Sequence, residues 1–186
     1  MPEPIFTVAN QLTLLRMALA PVLVVLVLFR SHTWALVTFV LAGVTDLLDG
    51  LVARRGHQQT TLGTMLDPVA DKVLLASAYV ALTWAPGLPC PIPVWLTVTV
   101  LSRDAIIVLT VVIVNLTLGR RVFHPSPLGK LSTGLQLATA GMALLGGALG
   151  ECPPGTPWLF RTTLVITVVS AIHYVYLASA RPAETR

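Results

Sequence analysis

"DLLDGLVARRGHQQTTLGTMLDPVADK", residues 46 to 72, places four aspartates and three basic side chains in one short stretch of the chain. Its surroundings are strongly apolar: of 186 residues, 55% are hydrophobic and only 11% are charged, and the mean hydropathy is +0.81. A chain of this composition cannot cover itself with a water-soluble surface. We therefore expect an integral membrane protein in which this charged stretch has a specific role.

Proline, glycine and charge clusters divide the chain into six apolar runs of about 20 residues, the length that a helix needs to cross a bilayer. No ten-residue stretch alternates polar and apolar side chains as a barrel strand would, so only helices remain as spanning structures. We therefore predict an all-α, six-transmembrane-helix bundle that forms a single domain over residues 1–186. The predicted spans are 11–29, 33–54, 66–85, 93–117, 129–149 and 158–179.

Lys and Arg residues in the short loops predict how the bundle is oriented in the membrane. The side that holds loops 55–65 and 118–128 and the C-terminal tail is rich in these residues, whereas the other side holds only Arg30 and Arg161. We therefore expect the first side, with both termini and the charged stretch, to be cytoplasmic. Contacts with anionic lipid headgroups explain the net charge of +4, and no nucleic-acid partner is expected.

Cys90 and Cys152 both fall in loops on the side opposite the charged stretch. They could pair in an oxidising compartment. Because six helices already fix the fold, the sequence favours two unpaired thiols over a disulfide.

The first half of the charged stretch has the periodicity of a helix. Asp46, Asp49, Gly50 and Ala53 stand at positions i, i+3, i+4 and i+7 and therefore share one face of the second span. Gly50 and Ala53 leave room beside the acids for a ligand, and Arg54 offers a bidentate partner for phosphate. Small residues at this spacing are also typical of close helix packing, and this alternative stays open.

The second half follows an eight-residue polar turn and has the same helical character. Gly63, Asp67 and Asp71 recur at every fourth residue and share one face of the third span. Pro68 is best tolerated in the first turn of a helix, which places the neighbouring acids near the cytoplasmic end. We expect the acidic faces of the two spans to oppose each other across a short hairpin.

Four converging carboxylates require a source of positive charge, because like charges close together raise one another's pKa. Oxygen-only ligands select Mg²⁺, Mn²⁺ or Ca²⁺ over Zn²⁺, and four carboxylates suit two ions about 4 Å apart, as in phosphoryl chemistry. Acids within a membrane can also mark an ion or proton pathway. Transporters usually spread such groups through the depth of the bilayer, whereas here they lie in one hairpin at one surface.

The charged stretch as a whole, D-x-x-D-G-x-x-A-R, eight residues and then G-x-x-x-D-x-x-x-D, resembles the full signature of the CDP-alcohol phosphatidyltransferases. "VANQLTLLRMALAPVL", "SRDAIIV" and "LGKLSTGLQL" resemble stretches of the cardiolipin synthases that use CDP-diacylglycerol. The likeness covers roughly residues 6–145. The motif phrases are also similar to those of phosphatidylglycerophosphate synthases, so the resemblance indicates the family more strongly than the subfamily.

The resemblance implies a homodimer with a polar cavity open to the cytoplasm, in which two Mg²⁺ or Mn²⁺ ions bind the diphosphate of CDP-diacylglycerol. It implies that an acceptor hydroxyl attacks the lipid-side phosphorus and releases CMP, with Asp71 as general base. Phosphatidylglycerol as the acceptor gives cardiolipin, and glycerol 3-phosphate is the alternative. The implied metal ligands are Asp46, Asp49, Asp67 and Asp71, and the implied CDP contacts are Gly50, Ala53, Arg54 and Gly63.

Two further basic residues are candidates for binding the acceptor. Arg103 lies near the middle of the fourth span and Lys130 begins the fifth, so both could reach the cavity. Alternatively, Arg103 pairs with Asp104 or a motif acid and only holds helices together.

Residues before the motif add one more expectation. Asn10, Thr13 and Arg16 match the N-terminal phrase of the family, and we expect them to cap the first span and contact headgroups. A direct contact with substrate is the less favoured alternative. An ion transporter, which would move charge without releasing CMP, and a noncatalytic membrane scaffold are the alternatives from other functional classes.

Overall fold

The computed structural model describes the backbone of residues 8–56, 61–118 and 127–180, and the side chains of residues 14–45, 72–110 and 127–177. Regular structure in these residues is entirely helical, as the sequence predicts. Each helix overlaps one predicted span. The helices are α1 (Val8–Leu28), α2 (His32–Gly56), α3 (Thr61–Trp84), α4 (Val94–Leu118), α5 (Pro127–Leu149) and α6 (Thr156–Ala180).

The start of α3 differs from the prediction. The helix begins at Thr61, so Pro68 lies in its second turn and the placement of this proline in the first turn was wrong. Apolar runs measure the part of a helix that avoids water, whereas the backbone hydrogen bonds of a helix continue into polar sequence at its ends. The loss of one backbone donor at proline is tolerated within that continuous helix.

One compact unit, called unit 1, comprises residues 1–91 and 140–153 and thus contains α1, α2, α3 and the C-terminal part of α5. In it α1 packs against both α2 and α3. Alanines are frequent among its buried side chains, which lets helix backbones approach closely. The buried apolar residues include Ala20, Leu23, Val27, Ala35, Ala42, Ala78 and Leu82.

Several helices of unit 1 meet at one end, which we call the turn end. Arg30, in the α1–α2 turn, has a positive φ of 58°, and its guanidinium carbon would lie 3.5 Å from a Cβ added to Gly87 in the α3–α4 loop. A Cβ added to Gly147 of α5 would lie 2.8 Å from His32 Cγ and 2.7 Å from Leu88 Cδ1. The α1–α2 turn, the α3–α4 loop and the end of α5 are therefore in close contact.

A disulfide between Cys90 and Cys152 joins the two sequence segments of unit 1 at this end. The two Cα atoms are 5.1 Å apart, and the bond links positions separated by 62 residues. The sequence-based preference for unpaired thiols was wrong. That preference rested on whether the fold needed a disulfide. The sequence does not reveal that α5 packs closely at Gly147, where the loops that carry the two cysteines meet.

The other compact unit, called unit 2, comprises residues 92–139 and 154–186, and in it α4 packs against α6. Helix α6 buries polar side chains and exposes apolar ones. Thr163, Thr167 and Ser170 are at most 1% exposed, whereas Val165 is 58% and Ile172 is 65% exposed. This pattern is the reverse of that in water-soluble proteins and is typical of a helix whose outer face contacts lipid.

The described part of the chain contains one helix that is long and apolar enough to cross a membrane, at Thr156–Leu177 in α6. Shorter apolar segments lie in three other helices. These are Leu14–Leu28, His32–Thr45 and Lys72–Trp84. The all-α fold is thus confirmed, whereas the full set of six membrane spans stays a prediction.

Candidate active site

The aspartate motif lies on two helices of unit 1. Asp46 and Asp49 belong to α2, and Asp67 and Asp71 belong to α3. The backbone is helical at all four positions, so the spacing that places each pair on one helical face is correct. Their side chains lie outside the described residues, and the convergence of the four carboxylates stays a prediction.

The residues expected to contact CDP lie on the same two helices. Gly50, Ala53 and Arg54 belong to the last two turns of α2, and Gly63 belongs to the first turn of α3. Their side chains are also outside the described part. Within the described residues, no group of three or more His, Cys, Asp or Glu side chains could hold a metal ion.

Arg16 lies inside unit 1 and is the largest fully buried side chain of the described residues, with 1% of its surface exposed. It belongs to α1, the helix that packs against both motif-bearing helices. The expected headgroup contact was therefore wrong for Arg16, because an enclosed side chain cannot reach lipid. The side chains of Asn10 and Thr13 lie outside the described residues.

Arg103 is buried near the middle of α4 and links it to α6. Its Nη1 donates a hydrogen bond to Asp104 Oδ1 at 2.7 Å, and its Nη2 donates to Ser170 Oγ at 3.2 Å. Its Nε is buried and has no hydrogen-bond partner among the described residues. The pairing with Asp104 confirms the structural role that the sequence left open.

Lys130, the second acceptor candidate, has a different environment from Arg103. It lies in the first turn of α5 and is exposed, whereas Arg103 is enclosed between helices. The structure therefore brings Arg103 into a polar interior and leaves Lys130 at a helix end. Their convergence on one ligand stays a prediction.

A buried hydrogen-bond network between α5 and α6 was missed by the sequence analysis. Gln136 Nε2 donates to Ser132 Oγ and to Thr167 Oγ1, each at 3.2 Å, and the hydroxyls of Thr139 and Thr163 are 2.8 Å apart. The sequence does contain the signal. The three α5 residues stand at i, i+4 and i+7, which is one helical face, and the two α6 residues are four apart.

The chain matches the family model of the CDP-alcohol phosphatidyltransferases over residues 6–176. The match covers the first five helices and most of α6, and it extends past the limit at residue 145 of the resemblance found in the sequence. It also includes every residue of the aspartate motif.

Curated proteins similar to this chain include cardiolipin synthases and a probable phosphatidylglycerophosphate synthase. It is 44% identical over 107 residues to a human cardiolipin synthase (CMP-forming), a match that covers 57% of this chain and 34% of that protein. It is 38% identical over 141 residues to a cardiolipin synthase (CMP-forming) of Streptomyces coelicolor, with 70% and 61% covered. A probable phosphatidylglycerophosphate synthase of Mycobacterium tuberculosis is 32% identical over 180 residues, with 92% and 81% covered.

The match thus spans about a third of the length of the human protein and most of the length of the mycobacterial one. The family match extends over nearly the whole chain, and the motif on α2 and α3 is complete. This chain belongs to the CDP-alcohol phosphatidyltransferase family.

Proposed function

We propose that this protein transfers a phosphatidyl group from CDP-diacylglycerol to a hydroxyl of phosphatidylglycerol, which gives cardiolipin and CMP. The observation that carries the proposal is a complete family motif whose two halves lie on continuous helices of the same compact unit. The identity to cardiolipin synthases of human and Streptomyces coelicolor supports phosphatidylglycerol as the acceptor.

We propose that the reaction takes place at a membrane. The apolar exposed face and polar buried face of α6 support contact with lipid, and six membrane-spanning helices would place the motif and both termini on the cytoplasmic side. We also propose that residues 1–186 act as one domain and that two copies form a homodimer. The cavity that holds both substrates opens to the cytoplasm.

The residues of the motif fit a pair of divalent cations. Asp46, Asp49, Asp67 and Asp71 supply only hard oxygen ligands, the donor set that suits Mg²⁺ or Mn²⁺ rather than Zn²⁺. When bound, the cations neutralise the diphosphate of CDP-diacylglycerol, which makes CMP a better leaving group.

Side chains of the chain itself provide the remaining chemistry. Asp71 accepts the proton of the acceptor hydroxyl as its oxygen bonds to the lipid-side phosphorus, while the bond from that phosphorus to the CMP oxygen breaks. Arg54 binds phosphate oxygens of the departing CMP. Gly50, Ala53 and Gly63 lack bulky side chains and leave room for the cytidine diphosphate.

The acceptor lipid carries a phosphate, and we propose that Arg103 and Lys130 bind it. Arg103 is held by Asp104 and Ser170, and its buried Nε has no hydrogen-bond partner among the described residues. A guanidinium fixed by two partners needs little further ordering to bind a ligand.

Glycerol 3-phosphate is the alternative acceptor. The match to the mycobacterial phosphatidylglycerophosphate synthase covers the largest share of both chains among the relatives described above, which favours this second candidate. The two acceptors share a phosphate and a primary hydroxyl, so the same motif serves either reaction.

CMP release by detergent-purified protein tests the proposal. The reaction contains CDP-diacylglycerol and Mn²⁺ or Mg²⁺, with phosphatidylglycerol or glycerol 3-phosphate as the acceptor and Asp67→Asn as the inactive control. Release with phosphatidylglycerol supports cardiolipin synthesis, and release with glycerol 3-phosphate alone supports the alternative. Folded protein that binds metal but releases no CMP with either acceptor would refute both.

A further inference from the structure

Arg16 is the most deeply enclosed charged side chain among the described residues of unit 1. Only 1% of its surface is exposed, so the side chain is enclosed by protein. A buried charge without an opposite charge is strongly destabilising, as is the removal of one partner of a buried pair. The enclosed guanidinium therefore requires an anionic group close by.

Arg16 is about as far from the turn end along α1 as Asp46 is along α2 and Asp71 is along α3. Counted from the turn end at about 1.5 Å per residue, Arg16 is about 18 Å along α1, Asp46 about 21 Å along α2, and Asp71 about 20 Å along α3. Helix α1 packs against both other helices. The contacts of Gly87 and Gly147 show that the helix ends used for this count lie together.

The described acids outside the motif do not compete for this position. Asp104 belongs to unit 2, where it pairs with Arg103, and Glu151 is exposed at the turn end. Glu3 and Glu184 are in the terminal segments outside the described residues. Among the acids whose backbone position the structure describes, those on α2 and α3 are therefore the ones at the level of Arg16.

We infer that Arg16 is the charge partner of the acids at its level, Asp46 and Asp71, and a positioning residue of the metal site. This inference rests on the proposed function, because it assigns those acids to metal binding. Arg16 does not contact substrate, since it is enclosed by protein. It offsets part of the negative charge of the acid cluster and holds a carboxylate in the orientation that turnover requires.

Removing the charge of Arg16 should change metal affinity as well as stability, whereas a loss of packing should change stability alone. We expect Arg16→Met to bind Mn²⁺ about tenfold more tightly, because a repelling cation is lost, while kcat falls about tenfold or more and KM for CDP-diacylglycerol stays nearly constant. Metal-free protein should lose more thermal stability than metal-bound protein, since Mn²⁺ replaces the missing charge. Arg16→Lys keeps the charge and should retain nearly the wild-type Mn²⁺ affinity.

The measurement is Mn²⁺ titration of detergent-purified protein, followed by paramagnetic resonance, with thermal unfolding in EDTA and in saturating Mn²⁺. Leu23→Ala is the matched control, a buried α1 residue whose loss should lower the unfolding temperature equally in both conditions. The inference would be overturned if Arg16→Met lowered the unfolding temperature equally in EDTA and in Mn²⁺, or if its Mn²⁺ dissociation constant were unchanged. CMP release by the wild type reports on the proposed function separately.

If Arg16→Met does not fold, its partner acids provide the test. Removing both members of a buried ion pair costs less than removing one. We therefore expect Asp46→Asn or Asp71→Asn, added to Arg16→Met, to restore a folded protein by size-exclusion chromatography. No recovery with either substitution would overturn the pairing.

Discussion

Gly147 lies where α5 makes its closest approach to the rest of unit 1, and adding one methyl group there should destabilise the protein. In Gly147→Ala the new Cβ would lie 2.7 Å from Leu88 Cδ1, 2.8 Å from His32 Cγ and 2.9 Å from His32 Cβ. Carbon atoms attract best at about 3.5–4.0 Å, so these neighbours must move by about 1 Å. Leu88 can change rotamer, but the His32 atoms lie next to the backbone and cannot yield without moving α2.

The magnitude follows from two opposing terms. Overpacking of this kind costs about 1–3 kcal/mol, and replacing glycine by alanine in a helix returns about 0.5–1 kcal/mol. We therefore expect a net loss of about 1–2 kcal/mol for Gly147→Ala. Gly134, on the same helix, and Gly43, in unit 1, have no atom within 4 Å of an added Cβ, so alanine there should be neutral or stabilising.

Thermal unfolding of the three variants in one detergent measures the difference. At about 2–4 °C per kcal/mol for a chain of this size, Gly147→Ala should unfold several degrees below Gly134→Ala and Gly43→Ala. CMP release at a temperature where all three are folded should be unchanged, because the turn end is remote from the motif. An unfolding temperature for Gly147→Ala equal to or above the other two would refute the packing argument.

Three further predictions concern covalent, polar and catalytic groups. Cys90→Ser should abolish the mobility difference between reduced and non-reduced protein on gels, and loss of a disulfide over this separation should cost up to about 4 kcal/mol in chain entropy, seen as a lower unfolding temperature. Gln136→Met should cost about 1 kcal/mol, because the bonds to Ser132 and Thr167 are lost between helices, and an unchanged unfolding temperature would contradict the network. Asp71→Asn should keep CDP-diacylglycerol binding better than CMP release, and equal loss of both would argue against its role as general base.

The helices of this protein were predictable because their signal is local. Apolar runs ended by proline, glycine or charge gave an approximate place for each helix, and the i, i+3, i+4 spacing of the motif needed only a helical backbone to be correct. Pro68 was misplaced because helix length is not limited to the apolar run. The unusual burial of Thr163 and Thr167 could have been inferred from their spacing once a lipid environment was assumed.

Contacts between distant segments were not predictable in the same way. The burial of Arg16 depends on how α1 packs against two later helices, and a single positive residue in an apolar run is equally compatible with a headgroup contact. The disulfide depends on the approach of two loops separated by 62 residues. The pairing of Arg103 with Asp104 could be named as one alternative because the two are neighbours in sequence, whereas the bond to Ser170 could not.

The position of the disulfide has a topological consequence for the middle of the chain. Cys90 and Cys152 are covalently joined, so the backbone between them forms a closed loop. Helices α4 and α5 both lie within this loop in sequence, whereas α1, α2, α3 and α6 lie outside it. A backbone cut between these cysteines would leave two fragments that separate only after reduction.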